Sequence, residues 1–264
     1  MHTTISDGRL GPAELVALAA ASGLDYLSVT DHDTLGMYLQ HADMLARFGR
    51  KIIPGVEVST FAHGREVHVL GYGVPVGPRA LDGVLTDRKQ VRHDRAARIV
   101  ANLRDQGVDI SMDDVERLTG GGMIGRPHIA RVLVEKGVAR DISDAFERYI
   151  GSSCAAFVPS SMLSPMDAIV AINACGGVSV LAHPTRNAAE GLLDELVDAG
   201  LKGVEVWSTS HTIHDAERLR DKARRHKLVM TAGTDFHGPT EANPRPGCEV
   251  EAADLAGFLE LVLH

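Results

Sequence analysis

Eight histidines and carboxylates are placed where they could act together: His2 and Asp7 in MHTTISDG, His32 in TDHD, Glu57 in GVE, His68 in VHVLGYG, His183 in AHP, and Asp235 and His237 in GTDFH. Imidazole nitrogen and carboxylate oxygen together suit manganese, zinc, iron and similar first-row ions. They suit magnesium less well, because so many of the donors are nitrogens. One histidine at a strand end is ordinarily a hydrogen-bonding or core residue. Eight such groups collected in one mouth would carry unpaired polar atoms into a poorly hydrated space, and bound cations supply the compensation. On spacing alone the alternative is a metal-free polar cluster.

The elements that must carry these residues follow a pattern. Short apolar runs end in the polar tips: LDYLSV (Leu24 to Val29) before TDHD, KIIP (Lys51 to Pro54) before GVE, VHVL (Val67 to Leu70) before GYG, GVSVL (Gly177 to Leu181) before AHP, GVEVW (Gly203 to Trp207) before STSH, and LVMTA (Leu228 to Ala232) before GTDFH. Helical patterns lie between several of them. Pro12 to Ala21 and Pro165 to Ala174 each open on a proline suited to a first turn, and Leu192 to Ala199 and Ile213 to His226 read as helices on apolar spacing. Strand, polar tip and helix in repetition predict parallel β/α units with their chemistry at the strand C-termini. The rhythm breaks over residues 79–159, where Val84 to Gln106, Ser111 to Leu118, Arg126 to Lys136 and Ser143 to Tyr149 read as helices. The expectation is an α/β barrel domain made of residues 1–78 and 160–264, with residues 79–159 as a helical insertion over its mouth.

Composition narrows the function. At 264 residues with 44% hydrophobic content, the chain can bury a large core and is not disordered. No stretch approaches the ~18 to 20 apolar residues of a membrane span, and no export signal is visible, so a cytoplasmic protein is expected. The three cysteines form no close pair and read as thiols in a reducing compartment. A net charge of -8 argues against duplex DNA as a partner, and 4% aromatic residues argue against a long stacking platform for single strands. Nothing in the sequence specifies an oligomeric partner.

The ordered motifs HTTISDG, TDHD, GVE, HVLGY, AHP and GTDFH resemble the PHP (polymerase and histidinol phosphatase) family of metal-dependent phosphoesterases. GRPHIARVLVEKG, DAFERYI and AFVP within the insertion resemble the branch that holds 3',5'-nucleoside bisphosphate phosphatases and RNA 5'-end exonucleases. The resemblance implies a distorted barrel of seven β/α units. It also implies two or three divalent ions, Mn2+ favoured, with Zn2+ or Fe2+ as alternatives. Carried over, Glu57 bridges two ions, His2 and Asp235 complete the first, His68 and His183 the second, and Asp7, His32 and His237 hold a third. In the family the first motif reads His-X-His-X-X-X-X-Asp-Gly behind a short apolar strand. His2 matches the second histidine, and the first histidine and its strand are absent from this numbering. The expectation is a polypeptide that starts upstream, the alternative a first metal site short of one ligand.

On the substrate side, Arg126 and His128 at a helix start are candidates for holding a phosphate away from the metals. Arg88, Arg92 and Arg95 share one helical face, ordinarily a solvated one, and Arg92 and Arg95 are candidates for phosphate contact because the insertion should cover the site. His211 is expected to touch substrate or move a proton, and with Asp235 and His237 it makes up the catalytic candidates. The function expected is hydrolysis of the 3'-phosphate of a nucleoside 3',5'-bisphosphate by activated water. The alternatives are a 5'-to-3' exoribonuclease on short RNA, a histidinol-phosphate phosphatase, and a metal-binding module without catalysis.

Overall fold

Seven strands build the scaffold of the computed structural model, which describes residues 1–47, 51–77, 81, 83–159, 163–240 and 243–263. Strands β1 (Tyr26–Leu27) and β2 (Lys51–Ile52) pair in parallel, and β3 (Gly55–Ala62), β4 (Arg65–Tyr72), β5 (Val178–Leu181), β6 (Gly203–Ser208) and β7 (Val229–Gly233) form a sheet in that order. A bridge between His32 and Glu57 joins the two sheets into one curved surface.

The expected parallel pattern holds only for β5, β6 and β7; β3–β4 and β4–β5 are antiparallel. The reason is local. Ala62 pairs with Arg65 across the two-residue turn His63-Gly64, whose φ angles of 49° and 76° are both positive, as a tight hairpin of right-handed twist requires. The segment after GVE is thus a full strand, where the sequence reading saw only a polar tip.

The sheet is open. Among the described residues no strand lies between β1 and β7, and a trough of about 630 Å³, lined by Leu27, Tyr72, Glu205, Thr231 and Phe258, runs between them. The N-terminal residues cross its upper end. Thr30 N–H donates to Met1 O at 2.8 Å, and His2 N–H donates to Phe236 O at 2.9 Å.

Helices α1 (Pro12–Ala21), α2 (Gly36–Gln40) and α3 (Ala42–Arg47) cover one side. Then come α4 (Arg88–Asp105), α5 (Met112–Thr119), α6 (Arg126–Glu135) and the short α7 (Ile142–Ala145), which runs into a π-helical turn at Phe146–Ile150. Helix α4 begins four residues later than its apolar spacing predicts, because Asp87 sits in left-handed backbone at φ 56°. Helices α8 (Pro165–Ala174), α9 (Leu193–Asp198), α10 (Ile213–His226) and α11 (Ala252–Val262) complete the chain, α11 without a sequence forecast. The Thr212 hydroxyl caps α10 by accepting the Asp215 amide.

Leu15, Val29, Val58, Val69, Ile169, Val204 and Phe236 belong to the core under the sheet. Ile99, Leu103, Ile129, Leu133 and Ile150 form a second core among α4 to α7. The expected junctions around 78–80 and 160–162 lie outside the described residues.

Candidate metal centre

All eight sequence-predicted ligands converge at one end of the curved sheet. His2, far from a frayed terminus, is 1% exposed. Its loop is tied down by Asp31, whose carboxylate accepts Thr3 N–H at 2.7 Å, the Thr3 hydroxyl at 2.7 Å and the Ser6 hydroxyl at 2.6 Å. Asp7 ends that loop, and His32 follows β1. Alternation along β3 sends Glu57, Ser59 and Phe61 to one face, and along β4 it sends Glu66 and His68 to one face. His183 follows β5, and Asp235 and His237 follow β7. His183 and Asp235 hold positive φ angles, 28° and 46°, that non-glycine residues adopt at a cost.

Glu57 stands between three imidazoles. Its Oε1 lies 2.7 Å from His68 Nδ1 and 3.1 Å from His183 Nε2, and its Oε2 lies 3.1 Å from His2 Nε2. His2 Nε2 is also 3.0 Å from Asp235 Oδ1, and Asp7 Oδ1 is 3.3 Å from His237 Nε2. Three sets of ligand atoms fall within 4.8 Å of one another: His2, Asp7, His32 and His237; His32, Glu57 and His68; and His2, Glu57 and Asp235. His68 and His237 are the more open members, with side chains 19% and 28% exposed.

Burial alone would raise the carboxyls of Asp7, Glu57 and Asp235, but the facing imidazoles hold all three well below their ordinary range. Burial pulls the His2 imidazolium down, yet hydrogen bonds to Asp235 and Glu57 outweigh it and raise its pKa to about 10. His32 goes the other way, driven by burial to about 3. Among the described residues, the buried ring nitrogens His2 Nδ1 and His32 Nδ1 have no hydrogen-bond partner. Three ionised carboxylates beside imidazoles with unsatisfied nitrogens are a donor set that fits divalent cations.

The substrate-side candidates separate into groups. Arg92 is buried and committed, donating to Asp33 Oδ2 at 2.7 Å, Ser59 Oγ at 2.8 Å and Ile124 O at 3.2 Å. Its face of α4 is thus sealed against the sheet rather than solvated. Arg95 and Arg126 meet at Glu66, Arg95 Nη2 at 2.5 Å from Oε1 and Arg126 Nη2 on Oε2. His128 is buried and accepts the Gly125 amide at Nδ1, 3.1 Å, and burial lowers its pKa to about 4, so it is neutral and works as a helix cap. His211 donates from Nδ1 to Val206 O at 2.8 Å and lines a crevice with Trp207, Thr212 and Arg220, beside the ligand cluster rather than in it.

No family model matches the chain. Its sequence is 35% identical over 246 residues to a 3',5'-nucleoside bisphosphate phosphatase of Chromobacterium violaceum, covering 91% of this chain and 86% of that protein. The chain belongs to the PHP family of metal-dependent phosphoesterases. The 5'-3' exoribonuclease Rnm of Escherichia coli is 33% identical over 245 residues, covering 90% of this chain and 84% of that one. Among solved structures, an amidohydrolase from Chromobacterium violaceum with bound sulfate and no metal superposes with a TM-score of 0.88 at 33% identity, over 98% of this chain and 93% of that one. A protein from Bifidobacterium adolescentis described as a candidate metal-dependent phosphoesterase gives 0.86 at 30% identity, over 98% and 94%.

In this phosphoesterase several residues around the ligands escaped the sequence reading. Arg186, three residues after His183, donates to Asp235 Oδ2; Arg131, a weaker phosphate candidate in the sequence, donates to Asp7 O at 2.6 Å. Glu205 accepts the His183 amide at 2.8 Å. A basic residue so close behind AHP was a usable signal for Arg186. Glu205 sits in GVEVW at a position that alternation turns inward, which also marks it.

Proposed function

We propose that this phosphoesterase removes the 3'-phosphate of a nucleoside 3',5'-bisphosphate. The observation that carries the reading is the charge of the arginine group beside the ligands. Arg95 and Arg126 converge on one carboxylate, Glu66, beside Arg92 on Asp33, so this group carries more guanidinium than carboxylate. Glu66 is two residues from His68 on the same face of β4, roughly 7 Å along the strand. That is a span suited to one ribose carrying a phosphate at each end, with one phosphate at the ligand cluster and the other at Arg95 and Arg126.

In the same proposal Glu57, His2, Asp235, His68 and His183 would together hold two ions. Asp7, His32 and His237 hold a third. Mn2+ is the favoured metal, with Zn2+ or Fe2+ as alternatives. Bound there, such ions acidify a coordinated water and stabilise charge on the phosphoryl oxygens. Arg126 and Arg95 orient the phosphate that is kept. Arg186, on the Asp235 carboxylate, holds that side chain toward the cluster and adds positive charge near the leaving phosphate. Burial lowers the His211 pKa and favours its neutral form, and its Nε2 is a buried nitrogen without a hydrogen-bond partner among the described residues. The three free cysteines and a fold without a helix long and apolar enough to cross a membrane, among the described residues, support a cytoplasmic setting.

The test is phosphate release by the Mn2+-loaded protein from a nucleoside 3',5'-bisphosphate, histidinol phosphate, an aryl monophosphate and a short 5'-phosphorylated RNA. The bisphosphate should lead in kcat/KM. Mononucleotide release from RNA as the dominant reaction would overturn the proposal in favour of the activity named for the Escherichia coli relative.

A further inference from the structure

Glu66 belongs to neither the ligand cluster nor the motifs, yet it is the point on which the two arginines turn. It is 5% exposed on β4, and it takes one guanidinium from α4 and one from α6, each on a different carboxylate oxygen. Both guanidiniums are fixed from a second direction as well. Arg95 Nε donates to Val158 O at 2.8 Å, and Arg126 Nη1 donates to Ile150 O at 3.3 Å. The Arg126 guanidinium also lies over the rings of Phe146 and Phe157, 5.3 and 5.6 Å from their centroids. After these contacts Arg126 Nε and Arg95 Nη1 have no hydrogen-bond partner among the described residues.

We infer that Glu66 is a positioning residue that sets substrate selectivity: by gripping one N–H of each arginine it fixes the spacing of the two guanidiniums into a socket for the phosphate that is not cleaved. The inference rests on the bisphosphate reading above. Without a carboxylate between them two guanidiniums repel and part. The repulsion is visible at Arg95, whose pKa is lowered to about 10, first by burial and then, against the pull of Glu66, by Arg126 and Arg92. A carboxylate also leaves the pair one net positive charge, enough to attract a phosphate and too little to trap it. Glutamine cannot do the same, because its amide offers an acceptor to one arginine and donors to the other.

The experiment compares Glu66→Gln and Arg126→Ala with the unmutated Mn2+-loaded protein. The readouts are the ratio of kcat/KM on a nucleoside 3',5'-bisphosphate to that on an aryl monophosphate, KM and kcat taken separately, and melting temperature. Glu66→Gln should lower the ratio about tenfold or more, the worth of one charge-assisted hydrogen bond, and the loss should lie in KM for the bisphosphate. If Arg126→Ala lowers the ratio and Glu66→Gln does not, the role of Glu66 is wrong while the bisphosphate reading stands. If Arg126→Ala leaves the ratio unchanged, the reading beneath it fails. A Glu66→Gln protein that binds the bisphosphate more tightly would show Glu66 to be a competitor for the arginines and would overturn the inference. Should Glu66→Gln not fold, Glu66→Asp keeps the charge but withdraws the oxygens by one methylene, and it must show the same selective rise in KM.

Discussion

Replacing Arg92 with alanine tests whether the arginine face of α4 is a weld or a binding surface. In the structure the Arg92 guanidinium is buried with Asp33, Ser59 and the carbonyl of Ile124 as partners. Asp33 is 2% exposed and, among the described residues, keeps the Ser59 amide, at 2.8 Å, as its hydrogen-bond donor once Arg92 is gone, with the Arg88 charge acting on it from further off. Removing one partner of a buried pair leaves an uncompensated charge and costs about 3 to 5 kcal/mol. For a chain of this size that is a fall in melting temperature of roughly 6 to 20 °C. Burial by itself would raise the Asp33 carboxyl, but Arg92 and the Ser59 amide hold it below its ordinary value. The pair therefore contributes stability above the unfolded carboxyl pKa, near 4, and that contribution disappears as pH falls through the lowered native value. Urea unfolding of the metal-free protein should accordingly show a gap between Arg92→Ala and the unmutated chain that is widest at neutral pH and narrows below pH 4. Arg92→Met with Asp33→Asn should recover at least half of the loss, since both charges leave together and asparagine tolerates the φ of 55° at position 33. A variant within 1 kcal/mol of the parent that loses bisphosphate binding would refute the weld and return Arg92 to the substrate.

Three further outcomes are expected. Glu57 enters two of the three ligand groups, so elemental analysis after dialysis should find Glu57→Gln short of two ions and His68→Ala short of one; equal metal content in Glu57→Gln and parent would remove Glu57 from the bridge. An added methyl at Gly125 would come within 2.8 Å of Asp7 Oδ2, so Gly125→Ala should keep its circular dichroism and bind metal at least tenfold more weakly. An unchanged affinity would show that Asp7 is not held where the cluster needs it. Burial raises the Glu205 carboxyl to about 7 although His183 pulls it down, so the native state keeps that proton longer than the unfolded chain, and Glu205 by itself adds a downward slope of about 3 kcal/mol to the stability of the metal-free protein between pH 4.5 and 7, opposed by the buried neutral His32 and His128 and read as the difference from a Glu205→Gln chain. Glu205→Gln keeps the acceptor for the His183 amide and should flatten that slope, a change that urea unfolding at several pH values would register.

The ligands were legible because their chemistry is unusual for where they stand. A histidine or carboxylate at the end of an apolar run is costly unless something binds it, and eight of them mark the site without any knowledge of the sheet. Strand β3 was hidden for the same reason. Its inward face carries Glu57 and Ser59 and its other face Val56 and Val58, all buried, so the alternation that signals a strand ran opposite to the rule that polar residues face water.

What holds the arginines was not legible in the sequence, for a different reason. Arg92 and Arg95 lie on one face of α4, and a charged helical face is ordinarily solvated. What seals it are partners 59 and 29 residues away, Asp33 and Glu66, and no local pattern reports contacts of that range. The consequence reaches the chemistry. Asp33 adjoins His32, Ser59 is two residues from Glu57, and Glu66 is two residues from His68, so among the described residues the contacts of Arg92 and Arg95 that tie α4 to the sheet end beside candidate metal ligands. The position of α4 to α7 and the geometry of the ligand cluster are therefore set by the same side chains. Under the proposed reading, a substrate held by Arg95 and Arg126 bears on Glu66 and so on the strand that carries His68.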